Sequence, residues 1–292
     1  MIAQSIARAR AYSSLVRLSH TIFALPFAAS AVVLALARPH ASLTLTRALA
    51  MLAAMVSART AAMAYNRYLD RDVDARNPRT ANREVPRGIV SEREALLLAL
   101  FAGAVFVAAA AALGVLTFWL ALPVLAVLFG YSHTKRFTWA SHLVLGVALA
   151  LAPGGAWIAM GARPEPAIFA LMLAVLTWVA GFDILYSLQD ERFDREHGLH
   201  SIPSRFGTMG AIFASAGLHV ATVLALLLVG LWLGRGAAFH SGVVLVALLL
   251  IYEHALVGRG NLAKIDRAFF DINGYVSGGF FALTVLDAWL SS

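Results

Sequence analysis

Nine apolar stretches, most of them long enough to cross a bilayer as a helix, dominate this 292-residue chain. They run roughly over 19–37, 44–68, 92–115, 117–133, 141–160, 167–189, 208–233, 237–256 and 268–290. A bilayer core takes about 20 apolar residues per helix. Backbone in lipid must satisfy its own N–H and C=O groups, which leaves helices or closed barrels. Ala, Leu and Val fill the stretches without alternation, so a helical bundle is expected rather than a barrel. Pro26, Pro123 and Pro153 fall inside stretches, which a membrane bundle tolerates. With 60% hydrophobic and 13% charged residues, the chain lies far from the soluble average of about a quarter charged. The absence of cysteine removes disulfides and thiolate chemistry. The expected fold is an all-α membrane protein of about nine transmembrane helices, forming one domain over residues 1–292.

The first stretch resembles a signal peptide, with a basic lead (Arg8, Arg10, Arg17) and an Ala35-Leu36-Ala37 end. Its lead is long and no soluble domain follows, so it is expected to be retained.

Charge placement orients the bundle. With alternating loops, the N-terminus and every second loop carry 17 of the 23 Lys and Arg residues. The opposite side carries four (Arg38, Arg47, Arg163, Arg235), and Arg59 and Arg67 lie within the second stretch. The positive-inside rule puts the N-terminus and the basic loops in the cytoplasm of a cell (inner) membrane. The net charge of +7 belongs to these loops, so nucleic acid is not an expected partner and the lipid bilayer is. Most carboxylates share the basic side. A purely topogenic bias needs none there, and the mixture suggests a metal ion and an anion held together.

The second stretch ends in Asn66-Arg67-Tyr68-Leu69-Asp70-Arg71-Asp72-Val73-Asp74. Asn66, Asp70 and Asp74 are four apart, on one helical face. Such oxygen ligands suit Mg²⁺, which is commonly shared with substrate phosphates. Arg59 lies on the same stripe, deeper in the membrane, where a charge is a functional candidate. The sixth stretch ends in Asp183-Ile184-Leu185-Tyr186-Ser187-Leu188-Gln189-Asp190-Glu191-Arg192-Phe193-Asp194. Asp183, Asp190 and Asp194 are spaced seven and four, with Tyr186 on the stripe. Asp70 to Asp190 and Asp74 to Asp194 are each 120 residues, as in a parallel repeat. Interfacial carboxylates neutralised by Arg would account for one such motif; they account poorly for two in matched register.

The loops that follow are basic. Arg79 and Arg83 offer bidentate donors to phosphate, and Tyr131 and Lys135, four apart, would be aimed at one point by a helical turn. Topogenic or lipid-headgroup charge is the plainer explanation for Arg8, Arg10, Arg93 and Arg259. Arg17 and His20 are candidates to hold an acceptor's acidic group, or equally to anchor the interface. His197 and His200 lack further soft ligands, which argues against zinc.

At Asn66–Asp74, Arg79-Thr80-Ala81-Asn82-Arg83, Tyr131-x-x-x-Lys135 and Asp183–Gly207 the chain resembles the UbiA superfamily of intramembrane prenyltransferases. The resemblance spans roughly residues 10 to 210. It implies a nine-helix bundle around a central cavity with a cytoplasmic cap. It also implies Mg²⁺-dependent transfer of a polyprenyl chain from its diphosphate to a small aromatic acid. Ala64–Arg67 and Asp194–Pro203 look closest to the 4-hydroxybenzoate polyprenyltransferase-like branch, with 4-hydroxybenzoate or a dihydroxynaphthoate as acceptor in ubiquinone or menaquinone synthesis. Arg67 departs from the family, where many members have Asp. On this reading Asn66, Asp70 and Asp74 hold one Mg²⁺, and Asp190 and Asp194 another. Arg79, Arg83, Lys135 and Arg59 bind diphosphate, Tyr131 or Tyr186 stabilises the allylic cation, and Asp183 is a candidate base. The competing readings are a haem or other non-quinone prenyltransferase, a transporter, and a phosphatidyltransferase. A transporter would place charge at the midplane, and the Asp-Gly-x-x-Ala-Arg signature of a phosphatidyltransferase is missing.

Overall fold

The computed structural model describes residues 11–16, 21–258, 265 and 268–291, without the side chains of 21–24, 268 and 269. Arg17 and His20 lie outside the described residues. Those residues are helical and without strands. The helices are α1 (Thr21–Leu36), α2 (Leu45–Leu69), α3 (Arg71–Arg76), α4 (Glu92–Leu113), α5 (Val115–Thr134) and α6 (Ser141–Ala159). They continue as α7 (Pro166–Ser187), α8 (Glu191–Glu196), α9 (Ile202–Trp232), α10 (Ala237–Val257) and α11 (Asn273–Leu290). Each apolar stretch expected from the sequence overlaps one of the longer helices. Seven helices among the described residues are long and apolar enough to cross a membrane. The two others are α1, with only 16 residues, and α11, with 18. Pro26, Pro123 and Pro153 all sit inside helices.

The chain divides into two compact units. One comprises residues up to Thr21 and Leu45–His133; the other comprises Ile22–Thr44 and residues from Thr134 onward. In the first, α2 packs on α4. A small core gathers Leu15, Ala64, Val85, Val90, Ala95 and Ala99 with Tyr65 and Tyr68. Helix α5 joins through Tyr65–Phe129 stacking, with ring centroids 4.6 Å apart, and through Leu125 against Gly103. Helix α4 starts where it does because Ser91 and Glu94 form a reciprocal capping box, which satisfies two free N–H groups.

In the second unit α7 packs on α6 and α9, and α10 on α9 and α11. Phe27 of α1 fits against Trp178 and Phe280. The Gly146 position in α6 shows how close the approach is: a Cβ there would run into the Leu176 carbonyl oxygen. Helix α9 breaks at Gly207, whose φ of 72° belongs to the left-handed region that glycine enters freely. The apolar stretch begins just after that break. A buried polar network ties four helices within this unit. Trp178 Nε1 of α7 donates to Asn273 Oδ1 of α11 at 2.7 Å, and Asn273 Nδ2 donates to Glu253 Oε1 of α10 at 2.9 Å. His219 of α9 stands 3.1 Å from His254 and 3.8 Å from Glu253. At the start of α10, Asp287 accepts from Arg235 Nε at 2.8 Å and from the N–H groups of Gly236 and Phe239.

Candidate active site at the acidic helix ends

The two acidic motifs do not continue their parent helices. Helix α2 ends at Leu69, Asp70 takes φ −90° and ψ 3°, and the six-residue α3 begins at Arg71. Helix α7 ends at Ser187, a 3-10 turn spans Leu188–Asp190, Asp190 takes φ −103° and ψ 0°, and the six-residue α8 begins at Glu191. Both aspartates occupy the sparsely allowed bridge region, where many active-site residues sit. The short helices repeat the register of the motifs: Arg71 to Glu191 and Arg76 to Glu196 are each 120 positions apart.

The spacing of four survives the first break. Asp70 N–H donates to the Asn66 carbonyl at 2.9 Å, and Asp74 N–H to the Asp70 carbonyl at 2.7 Å. Asp70 and Asp74 are only 2% and 3% exposed. An ionised carboxylate that deep needs donors, and each has them. Asn66 Nδ2 donates to Asp70 Oδ2 at 2.8 Å, and Arg83 Nη1 donates to both Asp74 oxygens at 2.8 Å. Thr80 Oγ1 donates to the Asp74 carbonyl, and successive backbone bonds wind the loop from Asn77 to Gly88 so that Arg83 returns to the helix end. Arg67, buried, donates to Asn66 Oδ1 at 3.3 Å. Tyr131 of α5, hydrogen-bonded to Ser132, lies within electrostatic reach of Asp70, Arg59 and Arg67. Thus Arg59, Asn66, Asp70, Asp74, Arg83 and Tyr131 come together in the first unit. Arg79 is exposed, and its backbone N–H donates to Asn77 Oδ1.

At the second end the 3-10 turn Leu188–Asp190 lies between Asp183 and Tyr186 on α7 and Asp194 on α8. Tyr186 packs against the apolar cluster of Ile184, Leu185, Leu188, Ile202 and Ala211. Asp183 meets His142 of α6, with Nδ1 2.7 Å from Oδ2. Asp194 accepts from the Ser201 hydroxyl, with Asp190, Lys135 and His142 close enough to act on its charge. Helix α8 lies past the apolar part of α7. Helix α5 ends at Thr134, so Lys135 leaves it, and its carbonyl accepts from His200 N–H at 2.7 Å. His142 and Ser201 carried no local sequence signal, since their partners are 41 and seven residues away.

The family model of the UbiA prenyltransferases matches residues 24–277, across both units and both motifs. The chain belongs to the UbiA prenyltransferase family. This UbiA protein is 31% identical over 231 residues to the 4-hydroxybenzoate octaprenyltransferase of Serratia proteamaculans, covering 79% of each chain. It is 33% identical to the enzyme of that name from Aromatoleum aromaticum, over 78% of this chain and 77% of the other. Among solved structures, the apo UbiA homologue of Aeropyrum pernix K1 superposes with a TM-score of 0.83 at 36% identity. That match covers 92% of this chain and 98% of the other. The UbiA homologue of Archaeoglobus fulgidus bound to GPP and Mg²⁺ shares the fold, with a TM-score of 0.75 at 24% identity, over 96% of this chain and 99% of that one.

The residues of this UbiA enzyme fit a divalent metal of the hard class. Every candidate ligand is an oxygen, and Asp70 and Asp74 are buried on successive turns. Four lone-pair sites on each carboxylate leave room for a cation beside the donors already present. The Asn66 amide turns its nitrogen to Asp70 and its oxygen to Arg67, so as a metal ligand beside Asp70 it would have to turn over. Among the described residues no three of His, Asp and Glu form a closed metal cage. Pairs of carboxylates are what Mg²⁺ uses when it keeps waters and shares substrate phosphates.

Proposed function

We propose that this UbiA protein transfers a polyprenyl chain from its diphosphate to a small aromatic acid, 4-hydroxybenzoate or a dihydroxynaphthoate, in quinone synthesis. The observation that carries the reading is the buried Asn66–Asp70–Asp74 cluster, repeated 120 residues on as Asp190 and Asp194. The names of the relatives support the choice of acceptor. Asn66, Asp70 and Asp74 would hold one Mg²⁺, and Asp190 and Asp194 a second. Bound there, the metal supplies Lewis-acid stabilisation of the departing diphosphate. Arg83, already oriented by Asp74, and Lys135 would add charge-assisted donors to diphosphate oxygens. Arg79 is a further donor from the loop. Arg59, which has no hydrogen-bond partner among the described residues, offers its guanidinium to a substrate anion. The face of Tyr131 stabilises the allylic cation as the carbon–oxygen bond breaks, in a site that must exclude water. Asp183 accepts the ring proton.

The cation-rich loops support a multi-pass arrangement in the cell (inner) membrane, with these helix ends at the cytoplasmic face. Both units act as one catalytic domain. The test incubates purified protein with Mg²⁺, one polyprenyl diphosphate and a panel of aromatic acids, and reads product masses. A prenylated aromatic acid is expected, lost with EDTA and restored by Mg²⁺. Product formation unaffected by EDTA would refute the metal assignment, and no product with any aromatic acid would refute the acceptor class.

A further inference from the structure

The pairing of Asp183 with His142 has a defined polarity. His142, the second residue of α6, is 4% exposed. Its Nε2 faces the backbone N–H of Ile202 at 3.4 Å. Ile202 opens α9, so that N–H belongs to the first turn and has no partner within its own helix. A backbone N–H can only donate, which makes Nε2 the acceptor and leaves the imidazole proton on Nδ1. Nδ1–H then donates to Asp183 Oδ2 at 2.7 Å. The second oxygen, Oδ1, has no partner among the described residues, and the Asp183 side chain keeps 24% of its surface exposed. One oxygen is tethered and the other is without a partner among the described residues.

We propose that His142 is the positioning residue for the base of the reaction: it orients Asp183 so that Oδ1 receives the ring proton. The inference rests on the prenyl-transfer reading above. The electron pair of the allylic carbon–oxygen bond leaves with the diphosphate, and ring π electrons form the new carbon–carbon bond. The electrons of the ring C–H bond then return to the ring as its proton passes to Asp183 Oδ1 and on to water. The products are prenylated ring, diphosphate and one proton, with no oxidant or reductant.

A merely structural pair would tie α6 to α7 and α9 without affecting the chemical step, so the test reads that step. The acceptor is deuterated at the carbon that gains the prenyl chain, and isotope effects on kcat are compared. Asn places an amide N–H near the Nδ1 position of His142, whereas Gln reaches only toward Nε2. His142→Gln should lose about 10²-fold in kcat, the low end for a general base, with KM for the prenyl diphosphate unchanged. It should also gain a primary isotope effect that the wild type lacks. His142→Asn should stay within about tenfold of wild type, because the donor to Asp183 is kept. Asp183→Asn should match His142→Gln, and the double variant should cost no more than either, as for groups acting as one unit. Should His142→Gln fail to fold, His142→Asn keeping the wild-type isotope effect while Asp183→Asn raises it decides for the proposal, and any other pairing decides against it. Losses confined to KM, or equal damage from Asn and Gln, overturn it. Wild-type protein that prenylates no aromatic acid sinks the transfer reading itself; active wild type with unchanged isotope effects in the variants sinks only the role of His142.

Discussion

The two acidic helix ends share a backbone plan and differ in how their carboxylates are held. After each long helix an aspartate at φ −90° or −103° and ψ 3° or 0° precedes a six-residue helix, directly at Asp70 and after a 3-10 turn at Asp190. At the first end both carboxylates are buried and already engaged, Asp70 by Asn66 and Asp74 by Arg83. At the second, α8 buries none of its residues, and its ion pairs, Arg192–Glu196 and Arg195–Glu191, lie on the surface. Burial with matched donors fixes geometry before substrate arrives. On the proposed reading, the first end would be the more preorganised of the two metal-binding ends.

That contrast orders the experiments. The largest effect is expected from Asp70→Ala or Asp190→Ala: about 10³-fold or more in kcat, since metal-mediated charge stabilisation is worth several kcal/mol. Both proteins should insert and melt as folded species. Near-wild-type turnover in Asp190→Ala alone would make the second end dispensable and break the pairing. Next comes Arg83→Ala. Removing one member of a largely buried pair leaves the other uncompensated, typically about 3–5 kcal/mol. Arg83 keeps 19% of its side-chain surface, so the lower part of that range is expected, as a fall in Tm with a loss of turnover. Arg83→Lys should recover Tm only in part, because a point charge does not replace the fork. An unchanged melting curve in Arg83→Ala would show the first end to be no tighter than the second. The smallest effect belongs to Arg192→Ala. Its pair is almost wholly exposed, and no measurable change in Tm is expected. A clear Tm loss there would mean that α8 is held as firmly as α3.

The chain displays some of this openly. Apolar length located the long helices, and the spacing of four at Asn66, Asp70 and Asp74 survives because the backbone bonds from residue to residue persist through the break. The break at Asp190 was hidden: a 3-10 turn shifts every following side chain by a fraction of a turn, and no Gly or Pro marks it. It lies between Asp183 on α7 and Asp194 on α8, and their spacing in the sequence gives no hint of it. The pairing of Arg83 with Asp74 depends on a loop whose course is set by Thr80 and Asn77, which periodicity does not describe. His142, Glu253 and Asn273 sit inside apolar or boundary sequence, and their partners are distant in the chain.

The Trp178–Asn273–Glu253 network bears on how lipid-embedded helices find their rotation about their own axes. Hydrocarbon tails solvate a leucine face about as well as another helix does, so greasy contact alone discriminates weakly between one rotational setting and the next. A hydrogen-bonded indole, amide and carboxyl meet in only one setting. Replacing Asn273 by Leu would therefore be expected to leave the helices associated yet free to slip, with disorder showing first in the angle at which α7 presents its acidic end.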